Sequence, residues 1–331
     1  MIEKGVRQTL MRDDLRDPAE VAVVIPAYNC ARDLPRAIDS VLAQTYRDYQ
    51  IFVIDDGSTD GTDVIVQRYG DRVTYVQQPH AGVATARNYG ISLSASPYVA
   101  FLDADDAWLP AKLERQLELL KSQPDVGLVC SDFLMEGVVY TSQIDHPSLT
   151  PSGRYFEYLL HHCFILTSAV VVRRQCLNEV GGFYEPLKVS EDCNLWLRIA
   201  SRWPVAAIAE IFVLKHNSSG SLSASTSIED RFHHAIAAFE HVLLVSPGLT
   251  QRERRVLRRV IADRYYNFGS YLLLQQDPRA ARSILAKAWR NRIFNCKAAT
   301  KFLASMLPPK GLRFLIRLWR NSVGGLKDSD R

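Results

Sequence analysis

The period of the apolar positions changes repeatedly along the chain. Val21-Ala-Val-Val-Ile-Pro26 is an unbroken, β-branched run closed by proline, which predicts a strand buried on both faces. Leu34, Ala37, Ile38, Val41 and Leu42 then recur at helical spacing. Ile51–Ile54 predicts a second strand, and 62–69 a helix. Val73–Val76 predicts a third strand, followed by a helix over 82–94. Tyr98–Leu102 reads as a fourth strand, 110–121 as a helix with proline near its start, and Val126–Cys130 as a fifth strand. Alternation of this kind predicts right-handed crossovers and an α/β fold, a mostly parallel central sheet flanked by helices.

Residues 135–165 show no regular period, with a turn-rich stretch at Asp145-His-Pro-Ser148. A strand over 167–172 and a helix over 173–180 precede Gly181-Gly-Phe183. Ser190 is placed to cap a helix over 190–202, with Glu191 and Asp192 in its first turn. Two short strands are expected near 205–208 and 211–214. From about Ile228 the pattern is helical throughout.

Polar residues gather just after the expected strand ends. Pro26-Ala-Tyr-Asn29 follows the first strand, Asp55-Asp-Gly-Ser58 the second and Asp103-Ala-Asp-Asp106 the fourth. Ligands of such sheets sit beyond the carboxyl ends of the strands, so three loops at that position argue for one site. Carboxylates at i and i+2 can converge on a hard divalent cation, which favours oxygen ligands and shares them with a phosphate group. Gly82-Val-Ala-Thr-Ala-Arg87-Asn88 opens a helix with small residues, where backbone can approach a ligand. Taken singly, each motif has a plainer reading: a capping Asp cluster, a turn before a helix, a surface ion pair.

Composition narrows the classes. With 331 residues, about two domains are expected. A hydrophobic share of 47% and a charged share of 23% exclude disordered, collagen-like and disulfide-scaffold chains. The net charge of +4 conceals a split: residues 229–331 carry 20 of the 40 Lys and Arg but 8 of the 36 Asp and Glu. That is +12 for the last third and −8 for the rest, which suggests two functional parts. The six cysteines show no metal or redox spacing and read as small buried thiols of a reducing compartment. The charged stretch 1–20 has no apolar core of a signal peptide, and no run is long enough to span a bilayer. A cytoplasmic protein is expected, placed at most on the inner face of the membrane.

Taken in order, five motifs carry a resemblance: Val24-Ile-Pro-Ala-Tyr-Asn29, Ile54-Asp-Asp-Gly-Ser-Thr-Asp-Gly61, Gly82 to Asn88, Phe101-Leu-Asp-Ala-Asp-Asp106 and Ser190-Glu-Asp192. Over roughly residues 20–225 the chain resembles the family 2 glycosyltransferases, inverting enzymes of the GT-A fold. The resemblance implies a nucleotide-diphospho-sugar donor, a UDP-sugar in the usual case. It implies that Pro26, Ala27 and Tyr28 line the base pocket and that Asp56 hydrogen-bonds the base. Arg87 is implied beside the base or diphosphate, and Asp103 at the ribose or the metal shell. Asp105 is implied as ligand to Mg²⁺ or Mn²⁺, and Asp192 as the general base. Relatives often complete the metal site with a loop histidine, which His216 matches. One departure is Cys193, where relatives often carry an aromatic; Trp196 lies one turn later. Gly181-Gly-Phe-Tyr-Glu185 fits the family, and its glycines are expected to shape the acceptor rim.

The division expected is a lead over 1–19, a catalytic domain over 20–228 and a basic helical region over 229–331. Tyr265, Phe268, Gly269, Leu272, Asp277-Pro278, Ala281, Leu285 and Ala288 resemble one tetratricopeptide-type hairpin. Residues 309–320 place Arg313, Arg317 and Arg320 opposite Leu, Phe and Trp, which suits an anionic membrane surface. No nucleic-acid motif accompanies the basic charge. The expected function is inverting sugar transfer to a glycan or lipid-linked glycan in bacterial surface polysaccharide synthesis. The alternative is a nucleotide-sugar-binding module without turnover, acting through its helical tail.

Overall fold

The computed structural model describes residues 18–140, 152–153, 155–216, 226–291, 296–306 and 311. The expected turn at 145–148 and the stretch 309–320 (apart from Gly311) lie outside them, as do residues 1–17.

The strands are β1 (Val21–Ala27), β2 (Tyr49–Asp55), β3 (Thr74–Gln77), β4 (Tyr98–Phe101), β5 (Ala107–Trp108), β6 (Leu128–Met135), β7 (Val138–Tyr140), β8 (Ser152–Gly153), β9 (Val171–Arg173) and β10 (Val205–Lys215). One sheet holds them in the order β3-β2-β1-β4-β9-β6-β10-β5, with β7 on β6 and β8 on β10. β3, β2, β1 and β4 are parallel neighbours, and so are β6 and β10. β9 runs antiparallel between β4 and β6, so six strands share one direction. Their carboxyl ends, and the loop entering β9, meet at the same edge.

β1 has no exposed residue, and its alternation feeds two cores. Val21, Val23 and Ile25 pack with α1 (Leu34–Leu42) and α4 (Lys112–Ser122). Ala22 and Val24 face α3 (Val83–Ser92), which passes so close that a Cβ at Gly90 would lie 2.4 Å from Val24 Cγ1. α2 (Thr62–Gln67) covers the first face near β2. On the second face lie α5 (Phe156–His161), α6 (Arg174–Val180) and α7 (Glu191–Ala200).

Three local expectations are corrected. Residues 167–169 form a 3₁₀ turn, and the strand is only Val171–Arg173, because Thr167 and Ser168 direct their hydroxyls into side-chain hydrogen bonds at the sheet edge. The two strands expected over 205–214 are one, whose pairing slips between Ile208 and Val213 where Ala209 and Glu210 turn to solvent. The irregular stretch contains β7, β8 and α5, elements too short to show a period.

Four helices follow: α8 (Ile228–Val245), α9 (Gln251–Leu274), α10 (Pro278–Asn291) and α11 (Cys296–Ala304). Ser227 caps α8, and Thr250 with Glu253 forms a reciprocal capping box on α9. α9 and α10 pack closely enough that a Cβ at Gly269 would sit 2.6 Å from Leu285 Cγ. These helices do not keep a core of their own. Phe239, Leu257, Phe268 and Leu285 belong to the same buried cluster as Phe101, Leu159 and Trp196. The basic excess points outward, with Arg252, Arg255, Arg258 and Arg259 exposed on α9. No helix of the described residues is long and apolar enough to cross a membrane.

Candidate active site

The first loop is locked onto the second. Asn29, at φ +47°, donates its N–H to Ser58 Oγ (2.8 Å) and accepts from Thr59 N through Oδ1 (2.8 Å). Pro26 and Ala27 end β1 in the buried layer, while Tyr28 is 50% exposed above them. The Tyr28 ring stacks on His80, with centroids 4.3 Å apart. Asp55 is fully internal, accepting from Ser58 N (2.7 Å) and the Tyr75 hydroxyl (2.6 Å). Asp56 gathers the loop that enters α3. It accepts from Gln78 Nε2 (2.7 Å), Ala81 N (2.8 Å) and Gly82 N (2.8 Å). His80 Nδ1 donates to the Asp56 carbonyl oxygen (3.1 Å) and lies 2.9 Å from Oδ2. Three donors leave one of the carboxylate's roughly four acceptor directions open.

The loop after β4 brings three carboxylates together. Asp103 Oδ1 accepts from Arg87 (2.6 Å), and its N–H donates to Ser168 Oγ (3.0 Å). Ser168 in turn donates to Asp106 Oδ2 (2.6 Å), and its carbonyl accepts from the Trp108 indole (2.7 Å). Asp106 Oδ1 accepts the His216 N–H (3.1 Å), which ties the end of β10 to the acidic loop. Burial, then the charge of Asp103, pushes the Asp106 carboxyl up to about 7. Asp105 differs from both: its carbonyl accepts from Arg36 (2.6 Å), but its half-buried carboxylate has no hydrogen bond or ion pair among the described residues.

Arg87 stands behind this loop. Its buried guanidinium pairs with Asp103 and with Glu191 (2.7 Å), and lies 5.1 Å from the centre of the Phe183 ring. Both nitrogens that the sequence would offer to a diphosphate are engaged inside the protein. Glu191 and Asp192 open α7. Ser190 holds the N-cap position with φ +66°, and its side chain makes no capping bond, contrary to expectation. A left-handed non-glycine residue is strained, and here it aims two carboxylates at the sheet edge. Asp192 accepts from Cys193 N (2.6 Å, Oδ1) and Thr167 Oγ1 (3.2 Å, Oδ2). Burial raises the Asp192 pKa, against the opposing pull of the Cys193 N–H and Arg87. Burial and the Asp192 charge also push Glu191 up, to about 7.

The helical region forms the wall behind α7. Asn194 Nδ2 donates to the Ala238 carbonyl of α8 (2.8 Å), and Arg198 Nε donates to Asn194 Oδ1 (2.9 Å). Tyr184 stacks on His241 of α8 at 3.7 Å. Gly182 is required by a close approach: a Cβ there would lie 2.3 Å from Asn88 Oδ1, which accepts from Phe183 N (2.8 Å). Trp196 is fully buried in the core and is not an acceptor-side surface.

Can these residues hold a divalent cation? Among the described residues no group of three or more His, Cys, Asp and Glu side chains is arranged for one. The donor set nevertheless fits a cation shared with phosphate oxygens, which needs only one or two protein ligands. Asp105 has an uncommitted carboxylate. His216 Nδ1 lies 3.2 Å from the Leu214 carbonyl; an Nδ1–H donated there turns Nε2 outward as the atom that can coordinate. Ser168, Thr167 and His80 are the residues that sequence patterns missed; the first two sat in what read as a strand.

The family model described as Glycosyl transferase family 2 matches residues 22–181. The chain is 30% identical over 214 residues to an Escherichia coli protein, UDP-Glc:alpha-D-GlcNAc-diphosphoundecaprenol beta-1,3-glucosyltransferase WfgD; the match covers 64% of this chain and 81% of that one. The chain spans 59% and 60% of the length of two Rickettsia glycosyltransferases that it matches at 32% and 31% identity. Among solved structures, S. aureus TarS 1–349 in complex with UDP aligns with a TM-score of 0.66 at 16% identity, over 92% of each chain. The mannosyltransferase PcManGT of Pyrobaculum calidifontis, in complex with GDP-Man and Mn²⁺, aligns at 0.59 and 18% identity, over 92% of this chain and 88% of that one. Both are likenesses of fold.

Proposed function

This chain belongs to glycosyl transferase family 2, and from that premise we propose that it transfers a sugar, with inversion, from a UDP-sugar to a hydroxyl of a lipid-linked glycan during surface-polysaccharide synthesis. One observation carries the reading. Asp192 is a carboxylate of raised pKa, held in place by Thr167 and Cys193 N, on the same edge as an uncommitted carboxylate at Asp105. The UDP and lipid-linked acceptor are supported by the names of the relatives, UDP in the TarS complex and GlcNAc-diphosphoundecaprenol for WfgD.

The residues divide the work. Tyr28 offers an exposed ring for the base, and Asp56 an acceptor for a base N–H. Asp103 and Asp105 face the donor side of the edge. Mg²⁺ or Mn²⁺ bound by Asp105 and His216 together with the diphosphate would supply positive charge against the leaving group. Arg87 acts here as a positioning residue, fixing Asp103 and Glu191 rather than touching the diphosphate. Asp192 Oδ2, the less tightly held oxygen, takes the proton of the attacking hydroxyl. A single base and no second carboxylate nucleophile give one displacement, hence inversion. Holding both substrates at one edge supplies the proximity term.

The test is nucleotide release from a panel of UDP- and GDP-sugars, with a lipid-diphosphate-linked glycan as acceptor. Acceptor-dependent release from a UDP-sugar is expected, lost with EDTA and restored by Mn²⁺. Donor binding without release from any member of the panel would support the non-catalytic module instead.

A further inference from the structure

His80 makes, inside the protein, the two contacts that the proposed function assigns to the nucleobase. Its ring stacks on Tyr28 with centroids 4.3 Å and planes 29° apart. Its Nδ1 donates to the Asp56 carbonyl oxygen at 3.1 Å and lies 2.9 Å from Asp56 Oδ2, the space a base N–H would take. An aromatic ring with an N–H that stacks on one residue and hydrogen-bonds the other has the same recognition features as a pyrimidine base. We propose that the His80 imidazole occupies the base position in the free chain, that the donor must displace it, and that His80 thereby sets donor affinity. This rests on the donor reading above and extends it to a residue outside the five motifs.

The surroundings let the ring leave and keep the backbone in place. The His80 side chain is 58% exposed, whereas Asp56 is almost fully buried. The backbone around it is pinned: Ala81 N and Gly82 N both donate to Asp56, and a Cβ at Gly57 would lie 3.1 Å from His80 N. Gly57 therefore has to be glycine, at φ +83°, for this loop to lie where it does. Displacement then requires only rotation of an exposed side chain, a motion of ps–ns timescale, with no movement of the loop. Of the groups against Asp56, two are backbone N–H groups and Gln78 is half-buried, so the exposed His80 ring is the one free to withdraw. A departing imidazole frees both the stacking face of Tyr28 and one direction on Asp56.

Competition of this kind lowers apparent affinity by the fraction of chains in which the site is open. An offset stack and one hydrogen bond at a half-exposed position hold the ring in for most of the time, so removing the ring is expected to tighten donor binding about three- to tenfold. At saturating donor the competition disappears. The catalytic step itself is then unchanged.

The experiment measures UDP binding by titration calorimetry, and donor KM and kcat, for the wild-type chain and His80→Ala, each with Mn²⁺. His80→Ser repeats it with a different small side chain, and thermal melting checks that both variants fold. The expected result is a lower UDP Kd and donor KM in both variants, with kcat within about twofold of wild type. An unchanged or weaker UDP affinity in His80→Ala would overturn the proposal, since a histidine that supports the bound base gives the opposite sign. Absence of UDP binding by wild type and variants alike would overturn the donor reading on which the proposal depends.

Discussion

Replacing Asp192 with Asn is expected to lower kcat for transfer by about 10²–10⁴-fold while leaving donor Kd within about twofold of wild type. Asn is the discriminating substitution because it keeps the shape. Its oxygen can still accept from Cys193 N, and its amide still meets Thr167. Only the ability to take a proton is lost. The pH profile supplies a second readout. A base works only when deprotonated, so kcat rises with pH through the Asp192 pKa. Burial raises that pKa above the ordinary aspartate value of 3.8, so the acidic limb should lie at higher pH than an exposed aspartate would give. Asp192→Asn should lose that limb from its residual activity. Equal loss of donor binding and transfer would refute the assignment.

The largest expected effect on stability is Arg87→Met. Arg87 is the buried cation between Asp103 and Glu191, and its charge also reaches Asp192. Removing one member of a buried charge network leaves the others uncompensated, which costs about 3–5 kcal/mol. The sign of the pH dependence follows. Glu191 titrates near 7 in the folded chain against an ordinary 4.5, and Asp192 is raised as well. The folded state therefore binds more protons than the unfolded state, and stability falls as pH rises from about 4.5 toward 7. Loss of Arg87 raises these carboxylates further and steepens that fall. Urea melts at pH 5 and pH 7 should show the deficit of Arg87→Met largest at pH 7. A deficit below about 1 kcal/mol, or one equal at both pH values, would show that the network is solvated and not the buried hub described.

Much of this site was legible before any coordinates, for a physical reason. A strand with no polar residue, as in Val21–Ile25, can only be central, and the loop that follows must lie at the ligand edge. Asp56, Asp103, Asp105 and Asp192 each fall one to three residues from such an edge or from a helix start. The internal partners of these residues were not legible. Arg87 carries the same letter whether it meets a diphosphate or two buried carboxylates; only tertiary packing decides. His80 and Ser168 sit in segments whose local pattern reports turn or strand and says nothing of a ring on Tyr28 or a hydroxyl between Asp103 and Asp106.

The helical third shows what charge alone leaves out. Its +12 suggested a second functional part. Charge describes the outer face of α9, where the arginines are exposed, while the inner faces carry Phe239, Leu257 and Phe268 into the core that also holds Trp196. Through Asn194 and Ala238 these helices buttress the helix that presents Asp192. The position of Asp192, the proposed base, is thus set from both sides, by the sheet edge through Thr167 and by the helical wall.

The central claim is a single displacement driven by one base, and the anomeric configuration of the product tests it most directly. The wild-type chain, Mn²⁺, a UDP-α-sugar and the lipid-linked glycan acceptor are combined, and the new linkage is read from its proton NMR coupling. A β-linked product is expected from attack opposite the departing diphosphate. An α-linked product would contradict the account, because retention requires a second nucleophile or a front-face path in place of attack assisted by Asp192.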